Sequence, residues 1–180
     1  MRFIVLVGPK HSGKTSVGKA LASLLSCGFV DLDEFIAQRS GKSPRALYGE
    51  GPEVFRKAEA EALAALLESK KAGASSFLVI ASGGGLIDNP DALSIMSRFP
   101  ITSVFLDVYA KIAWKRIRAE RELPPFLRTE NPEKTHRTLH KRRTAAYRRF
   151  ASLVIKADSK NPRKIAHEIS RKLHLTRTVY

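Results

Sequence analysis

Cysteine, methionine and tryptophan are nearly missing from this chain of 180 residues: Cys27 is the only cysteine, beside two Met and one Trp. A lone cysteine makes no internal disulfide and no thiolate metal cluster, so stability must come from a packed apolar core. Cys27 itself reads as a small core residue. Long hydrophobic runs are also missing. No segment approaches the ~20 apolar residues of a membrane span, so no membrane partner is expected. The apolar run near the N-terminus is short and leads straight into a glycine-bearing loop, so a cleaved leader is not expected and the expected location is cytoplasmic. No internal repeat, low-complexity tract or linker interrupts the pattern. Acidic residues are scarce, 17 Asp and Glu against 32 Lys and Arg, a net charge of +15. The excess is uneven: residues 1–110 carry a net +1, residues 111–150 a net +9 and residues 151–180 a net +5. Such a basic third suits anionic small molecules, a nucleic acid, or no specific partner at all.

What is present fits one domain of ordinary size, 180 residues with 43% hydrophobic content. Residues 8 to 15 read Gly8-Pro9-Lys10-His11-Ser12-Gly13-Lys14-Thr15, a complete G-x-x-x-x-G-K-[ST] phosphate-binding loop. It follows a strand-like run, Phe3 to Val7, and precedes a helical stretch, Ser16 to Leu25. In that setting backbone N–H groups and a helix N-terminus surround phosphate oxygens. Lys14 then faces the β- and γ-phosphates and the Thr15 hydroxyl a Mg²⁺ ion. The chain is therefore expected to bind a nucleoside triphosphate.

Downstream, strand and helix signals alternate. Phe29 to Leu32 reads as a short strand, and Glu34 to Arg39, Pro44 to Tyr48 and Pro52 to about Lys71 as helices. Phe77 to Ala81 is a buried strand and Asp91 to Arg98 a short helix. Ile101 to Leu106 is a strand, followed by a helix over Ala110 to Arg118. Arg121 to Pro132 reads as a mobile loop and Glu133 to Arg149 as a basic helix. Leu153 to Ile155 is the last strand and Pro162 to Leu173 the last helix. This order predicts an α/β fold: a parallel sheet flanked by helices, with ligands gathered at the carboxyl ends of the strands.

Three motifs fall at those ends. Asp31-Leu32-Asp33 offers two carboxylates which, on an extended segment, point opposite ways, one toward Mg²⁺ and the other toward a substrate hydroxyl. Arg56 is suited to a bidentate grip on a carboxylate, and Glu59, three residues on, shares its helix face and is placed to orient the guanidinium. Gly83-Gly84-Gly85 lets a ligand lie against bare backbone. Each has a plainer reading alone: helix-capping acids, a surface salt bridge, a flexible turn.

Together these motifs resemble the shikimate kinase family, small enzymes similar to nucleoside-monophosphate kinases. The matching elements are GPKHSGKT at 8–15, DLD at 31–33, Gly49-Glu50-Gly51 through Phe55-Arg56 to Glu59, GGG at 83–85, Arg143 four residues before Tyr147, and Asn161-Pro162 after the last strand. The resemblance implies a single kinase domain over 1–180 with a five-stranded parallel sheet, a substrate-binding region near 31–62 and a lid near 118–132. It implies transfer of the γ-phosphoryl of ATP to the 3-hydroxyl of shikimate, in the route to chorismate and the aromatic amino acids. By resemblance, Gly8 to Ser16 (with Lys10, His11, Ser12 and Lys14) and Lys160, Asn161 and Pro162 hold the nucleotide. Asp33, Arg56, Arg143 and the Gly83–Gly85 turn hold shikimate, Arg142 being a rival for Arg143. Asp33 is the candidate base, and Thr15 and Asp31 serve Mg²⁺. A monomer that binds no nucleic acid is expected.

One element departs from the family. Where its members carry an Arg-Pro-Leu-Leu-like lid motif, this chain reads Pro124-Pro125-Phe126-Leu127, and proline supplies no charge. Arg121 or Arg128 is expected to take that arginine's catalytic place. Two other readings stay open: a kinase of another small carboxylated polyol such as gluconate, and a non-catalytic nucleotide- or nucleic-acid-binding relative. His11, His136, His140, His167 and His174 show no metal-ligand pattern. His136 and His140 read as surface residues and Trp114 as a packing residue.

Overall fold

The computed structural model describes residues 2–69, 77–158 and 161–175. Its centre is a five-stranded parallel sheet in the order β2-β3-β1-β4-β5. The strands are β1 (Arg2–Val7), β2 (Gly28–Asp31), β3 (Phe77–Ala81), β4 (Ile101–Asp107) and β5 (Leu153–Lys156). The helices are α1 (Lys14–Leu25), α2 (Leu32–Ser40), α3 (Pro44–Glu50), α4 (Pro52–Ser69), α5 (Pro90–Met96), α6 (Ala110–Arg118), α7 (Pro132–Phe150) and α8 (Pro162–Lys172). Short 3₁₀ turns occupy Leu86–Asp88 and Pro125–Leu127. The fold matches the α/β arrangement read from the sequence.

The central strand β1 is apolar on both faces because helices cover both. Alternation sends Phe3, Val5 and Val7 into one core with Leu32, Leu63, Leu66, Phe105 and Tyr147. It sends Ile4 and Leu6 into a second core with Val17, Leu21, Val104, Ile165 and Ile169. Helix starts follow local chemistry. Asn89, Asn131 and Asn161 each precede a proline, and their side chains accept from the backbone N–H of Ala92, Lys134 and Arg163. Ser43 does the same for α3 through Ala46 N, with Pro44 in the first turn.

Two expectations fail here. His136 and His140 are buried, 5% and 7% exposed. Trp114 stacks on His136 with ring centroids 5.4 Å apart, and the two imidazoles lie 5.5 Å apart. The pair fills the seam between α6 and α7, which the basic composition of α7 concealed. Burial, with His140 nearby, pushes His136 down to about 4, and burial lowers His140 as well. An unfolded imidazole titrates near 6.5, so between pH 6.5 and about 4 the unfolded chain binds more protons and stability falls as pH falls. We expect His136→Phe, which preserves the stacking shape, to flatten that acid limb. Denaturant midpoints at pH 7 and pH 5 measure it.

The basic third also proves less free than its charge suggested. Asp107, at the end of β4, takes Arg148 and Lys156 at 2.7 and 2.8 Å. Asp88 takes Arg142 and Arg143, both at 2.8 Å. Among the described residues no helix is long and apolar enough to cross a membrane.

Candidate active site

A cavity of about 410 Å³ opens at the carboxyl ends of β1, β2 and β3. Six segments wall it. The phosphate-binding loop contributes Lys10, His11, Gly13, Lys14, Thr15 and Ser16; the β2–α2 junction contributes Asp31 and Asp33. Pro44, Arg45, Tyr48 and Phe55 come from α3 and α4, and Ser82 to Gly85 with Arg143 form the far wall. Pro124, Pro125 and Phe126 of the α6–α7 loop overhang it.

The loop after β1 has the geometry its glycines require. Gly8 and Gly13 have φ of 144° and 95°, where a side chain is strained. Lys14 is buried and donates from Nζ to the carbonyls of Gly8 at 2.9 Å and Pro9 at 3.0 Å. Burial pushes its ammonium down to about 8, against the opposing pull of Asp33 and Asp31. Ser12 is 1% exposed and its Oγ has no partner among the described residues.

The two carboxylates of Asp31-Leu32-Asp33 do not diverge as extended alternation predicts. The strand ends at Asp31, which caps α2 by accepting from Asp33 N at 3.1 Å, and the helix starts at Leu32. Both acids therefore face one cavity. Asp31 Oδ2 accepts from Thr15 Oγ1 at 2.7 Å. Asp33 Oδ1 is buried with no hydrogen-bond partner among the described residues. Burial first, then the Asp31 charge, raises the Asp33 carboxyl above the usual carboxylate range, while Lys14 and Lys10 oppose this.

Glu59 does not orient Arg56. The Arg56 guanidinium pairs with Glu53, one turn back on the exposed side of α4. Glu59 turns inward, where Asn89 Nδ2 donates to its Oε2 at 2.9 Å and to the Arg56 carbonyl at 2.8 Å. Burial, only partly offset by Asn89, pushes Glu59 up to about 7. Its Oε1 and Asp33 Oδ1 would lie 3.0 and 3.2 Å from a Cβ on Gly83. Gly83 is thus the space between two acids.

The glycine turn is pressed against its neighbours. A Cβ at Gly84 would stand 2.7 Å from the backbone nitrogen of Lys10, and one at Gly85 3.0 Å from Arg143 Nη2. Tyr147, which the sequence reading used only as a register mark, holds this turn. Its hydroxyl donates to Gly84 O at 3.3 Å and accepts from Ile87 N at 3.4 Å, while its ring stacks on Phe105. Because the Gly84 contact is backbone on backbone, Gly84→Ala must displace the phosphate-binding loop. We expect a stability loss of about 1–3 kcal/mol and a raised KM for ATP, read by thermal unfolding and by nucleotide titration.

Of the other sequence candidates, Arg143 lines the cavity and donates from Nε to Asp88. Arg142 shares that aspartate but lies 60% exposed, outside the cavity wall. Arg56 lines an adjoining cavity of about 540 Å³ that shares Tyr48, Phe126 and Arg143 with the first. Arg121 and Arg128 are not brought to the site. Arg121 lines a separate cleft with Trp114 and Pro132, and Arg128 pairs with Glu122 at 3.1 Å. Asn161 and Pro162 begin α8 away from the cavity wall, and Lys160 lies outside the described residues. Sequence reading missed Arg116, which donates to the carbonyls of His11 at 2.8 Å and Asp158 at 3.3 Å. It also missed Glu120, which ties Lys10 at 3.0 Å and His11 at 2.7 Å to the end of α6.

The chain is similar to known proteins over most of its length. A family model described as shikimate kinase matches residues 10–174. This chain belongs to the shikimate kinase family. A shikimate kinase of Hahella chejuensis is 34% identical over 97% of this chain and 87% of that protein. One from a Marinomonas species is 33% identical over 92% and 88%. Among solved structures, a shikimate kinase from Acinetobacter baumannii in complex with shikimate superimposes with a TM-score of 0.85. It is 32% identical and covers 97% of this chain and 93% of that one. In this shikimate kinase family member the phosphate-binding loop, the paired aspartates, Arg143 and the glycine turn share one cavity.

Proposed function

We infer that the protein transfers the γ-phosphoryl of ATP to the 3-hydroxyl of shikimate. The observation that carries this reading is the convergence on one cavity of a phosphate-binding loop, the Asp33 carboxylate, whose buried Oδ1 has no hydrogen-bond partner among the described residues, and the Arg143 guanidinium. A phosphate cradle, a base and a carboxylate anchor are what phosphoryl transfer to a carboxylated alcohol requires.

On this reading Lys14 leaves the Gly8 and Pro9 carbonyls for the phosphates. The loop amides and the α1 N-terminus hold the rest of that charge. Asp33, with its raised proton affinity, accepts the hydrogen of the attacking hydroxyl. Arg143, held against Asp88 through Nε, presents its Nη groups to the acceptor's carboxylate, and Arg56 assists from the adjoining cavity. The α6–α7 loop, near 118–132, serves as a lid whose Pro124, Pro125 and Phe126 exclude water.

The residues present fit a divalent metal. Thr15 Oγ1 and Asp31 Oδ2 are paired oxygen donors at the loop's edge, which suits Mg²⁺, a hard ion that keeps several waters and binds through few protein oxygens. When bound there, Mg²⁺ neutralises phosphate charge. The reading is of a monomeric enzyme whose cavity is walled by segments spread from residue 10 to residue 143 of one domain.

Arg143→Ala is expected to raise the KM for shikimate by about 10- to 100-fold, the scale of a lost charged hydrogen bond, with the KM for ATP little changed. Arg56→Ala should cost less, since that side chain already pairs with Glu53 in solvent. Steady-state kinetics against both substrates tests the pair. The reading as a whole is tested by ADP release with Mg-ATP and shikimate, gluconate or no acceptor. Stimulation by shikimate alone supports it. Stimulation by gluconate alone, or by neither, overturns it.

A further inference from the structure

The lid carries two charged tethers of different kind. Glu120 binds Lys10 and His11, both on the phosphate-binding loop. Glu122 instead reaches across the mouth of the cavity to Arg45 on α3. The Arg45 guanidinium pairs with the Glu122 carboxylate and also donates from Nη2 to the backbone carbonyls of Glu122 at 3.3 Å and Leu123 at 3.4 Å. Arg128 supports the same carboxylate from within the lid at 3.1 Å. Just beyond, Phe126 packs edge-on against Tyr48 of α3, ring centroids 6.5 Å apart, and Leu127 is fully buried. Arg45 itself lines the cavity beside Pro44, yet its donors point at the lid. A planar fork that grips one side chain and two consecutive carbonyls fixes a backbone as well as a charge, which lysine does not do.

We propose that Arg45 is a positioning residue for the kinase reaction, acting through Glu122 to latch the lid onto α3 so that Pro124, Pro125 and Phe126 roof the cavity. The proposal rests on the kinase reading above. Opening the latch admits water and loosens the acceptor pocket without touching the phosphate cradle. Two effects follow from losing it. The ratio of acceptor-independent ATP hydrolysis to shikimate phosphorylation rises, and so does the KM for shikimate. Both partners are part-exposed, 41% and 59%, so each change should be about two- to fivefold.

The test is a cycle of Arg45→Ala, Glu122→Ala and the double variant, read in two ways. Amide hydrogen exchange over 122–128 in the ligand-free protein reports the latch without any catalysis. Coupled kinetics report hydrolysis against transfer. The proposal expects both single variants to speed exchange and raise the hydrolysis ratio alike, with the double variant no worse than either. It is overturned if exchange over 122–128 is unchanged in Arg45→Ala, or if the two losses add. It is equally overturned if Arg45→Ala lowers kcat while Glu122→Ala leaves or raises it, because Arg45 would then act on the substrate directly. A wild-type protein that fails to phosphorylate shikimate would defeat the kinase reading alone, leaving the exchange result to judge the latch.

Discussion

Lys14→Met is expected to lower kcat by about 10³-fold while leaving the protein folded. The substitution nearly preserves volume, so the packing around α1 survives and only the ammonium is lost. That ammonium is the one buried cation of the phosphate-binding loop, held on two carbonyls that phosphates would replace on the proposed reading. A single charge placed where transition-state charge develops is worth two to three orders of magnitude. The burial that pushes Lys14 down to about 8 adds a pH signature. Above that pH the free enzyme loses the charge that attracts ATP, so kcat/KM for ATP should fall on the alkaline side near pH 8. The same limb in kcat should lie higher, because bound phosphates favour the protonated amine. Lys14→Met should abolish the difference between the two profiles. Initial rates across pH 6 to 10 at low and saturating ATP measure it.

The second large effect belongs to Asp33. Asp33→Asn keeps the side chain's shape but removes the proton acceptor, and a fall in kcat of roughly 10²- to 10⁴-fold is expected. Because burial and the Asp31 charge raise this carboxyl, wild-type kcat/KM should lose activity as pH drops through a value above the ordinary carboxylate range. The sign follows from the chemistry: the base works only when ionised, and its raised pKa moves the loss to higher pH. The variant should lack that acid limb. Glu59, pushed up to about 7 and facing Asp33 across Gly83, is the group that could blur this assignment. Glu59→Gln, with its bond to Asn89 preserved in form, should leave the Asp33 limb in place. Parallel pH–rate profiles of the two variants separate the groups.

Much of this architecture could be read from the residues alone. The apolar stretches Phe3–Val7 of β1, Phe77–Ala81 of β3 and Val104–Leu106 of β4 are unbroken because helices cover both faces of a parallel sheet. The Asn-Pro pairs at 89, 131 and 161 announce helix starts through a capping side chain and a preset φ. The phosphate-binding loop and the glycine turn were legible because each requires bare backbone at fixed positions. What escaped depends on partners distant in the chain. Spacing put Glu59 on the Arg56 face, but only the approach of Asn89 from the start of α5 draws Glu59 inward, leaving Arg56 to Glu53. His136 and His140 sit among lysines and arginines in sequence, yet both are buried, His136 under Trp114 of α6 and His140 beside His136. Asp31 and Asp33 share a cavity because α2 begins at Leu32, a boundary that periodicity does not locate. The lid's contacts are likewise long-range. Local sequence directed attention to Arg121 and Arg128 as its cations, whereas the arginine that reaches the lid from across the cavity is Arg45, on α3 and 77 residues from Glu122.

The central claim is chemical, that this cavity joins the γ-phosphoryl of ATP to the 3-hydroxyl of shikimate, and identifying the product tests it most directly. Incubating the protein with Mg-ATP and shikimate and following the mixture by phosphorus NMR should show ADP and one phosphate monoester appearing in equal amounts. Proton coupling should place that ester on the 3-hydroxyl, and Asp33→Asn should suppress it. Inorganic phosphate in place of an ester, or an ester on another hydroxyl, would contradict the account.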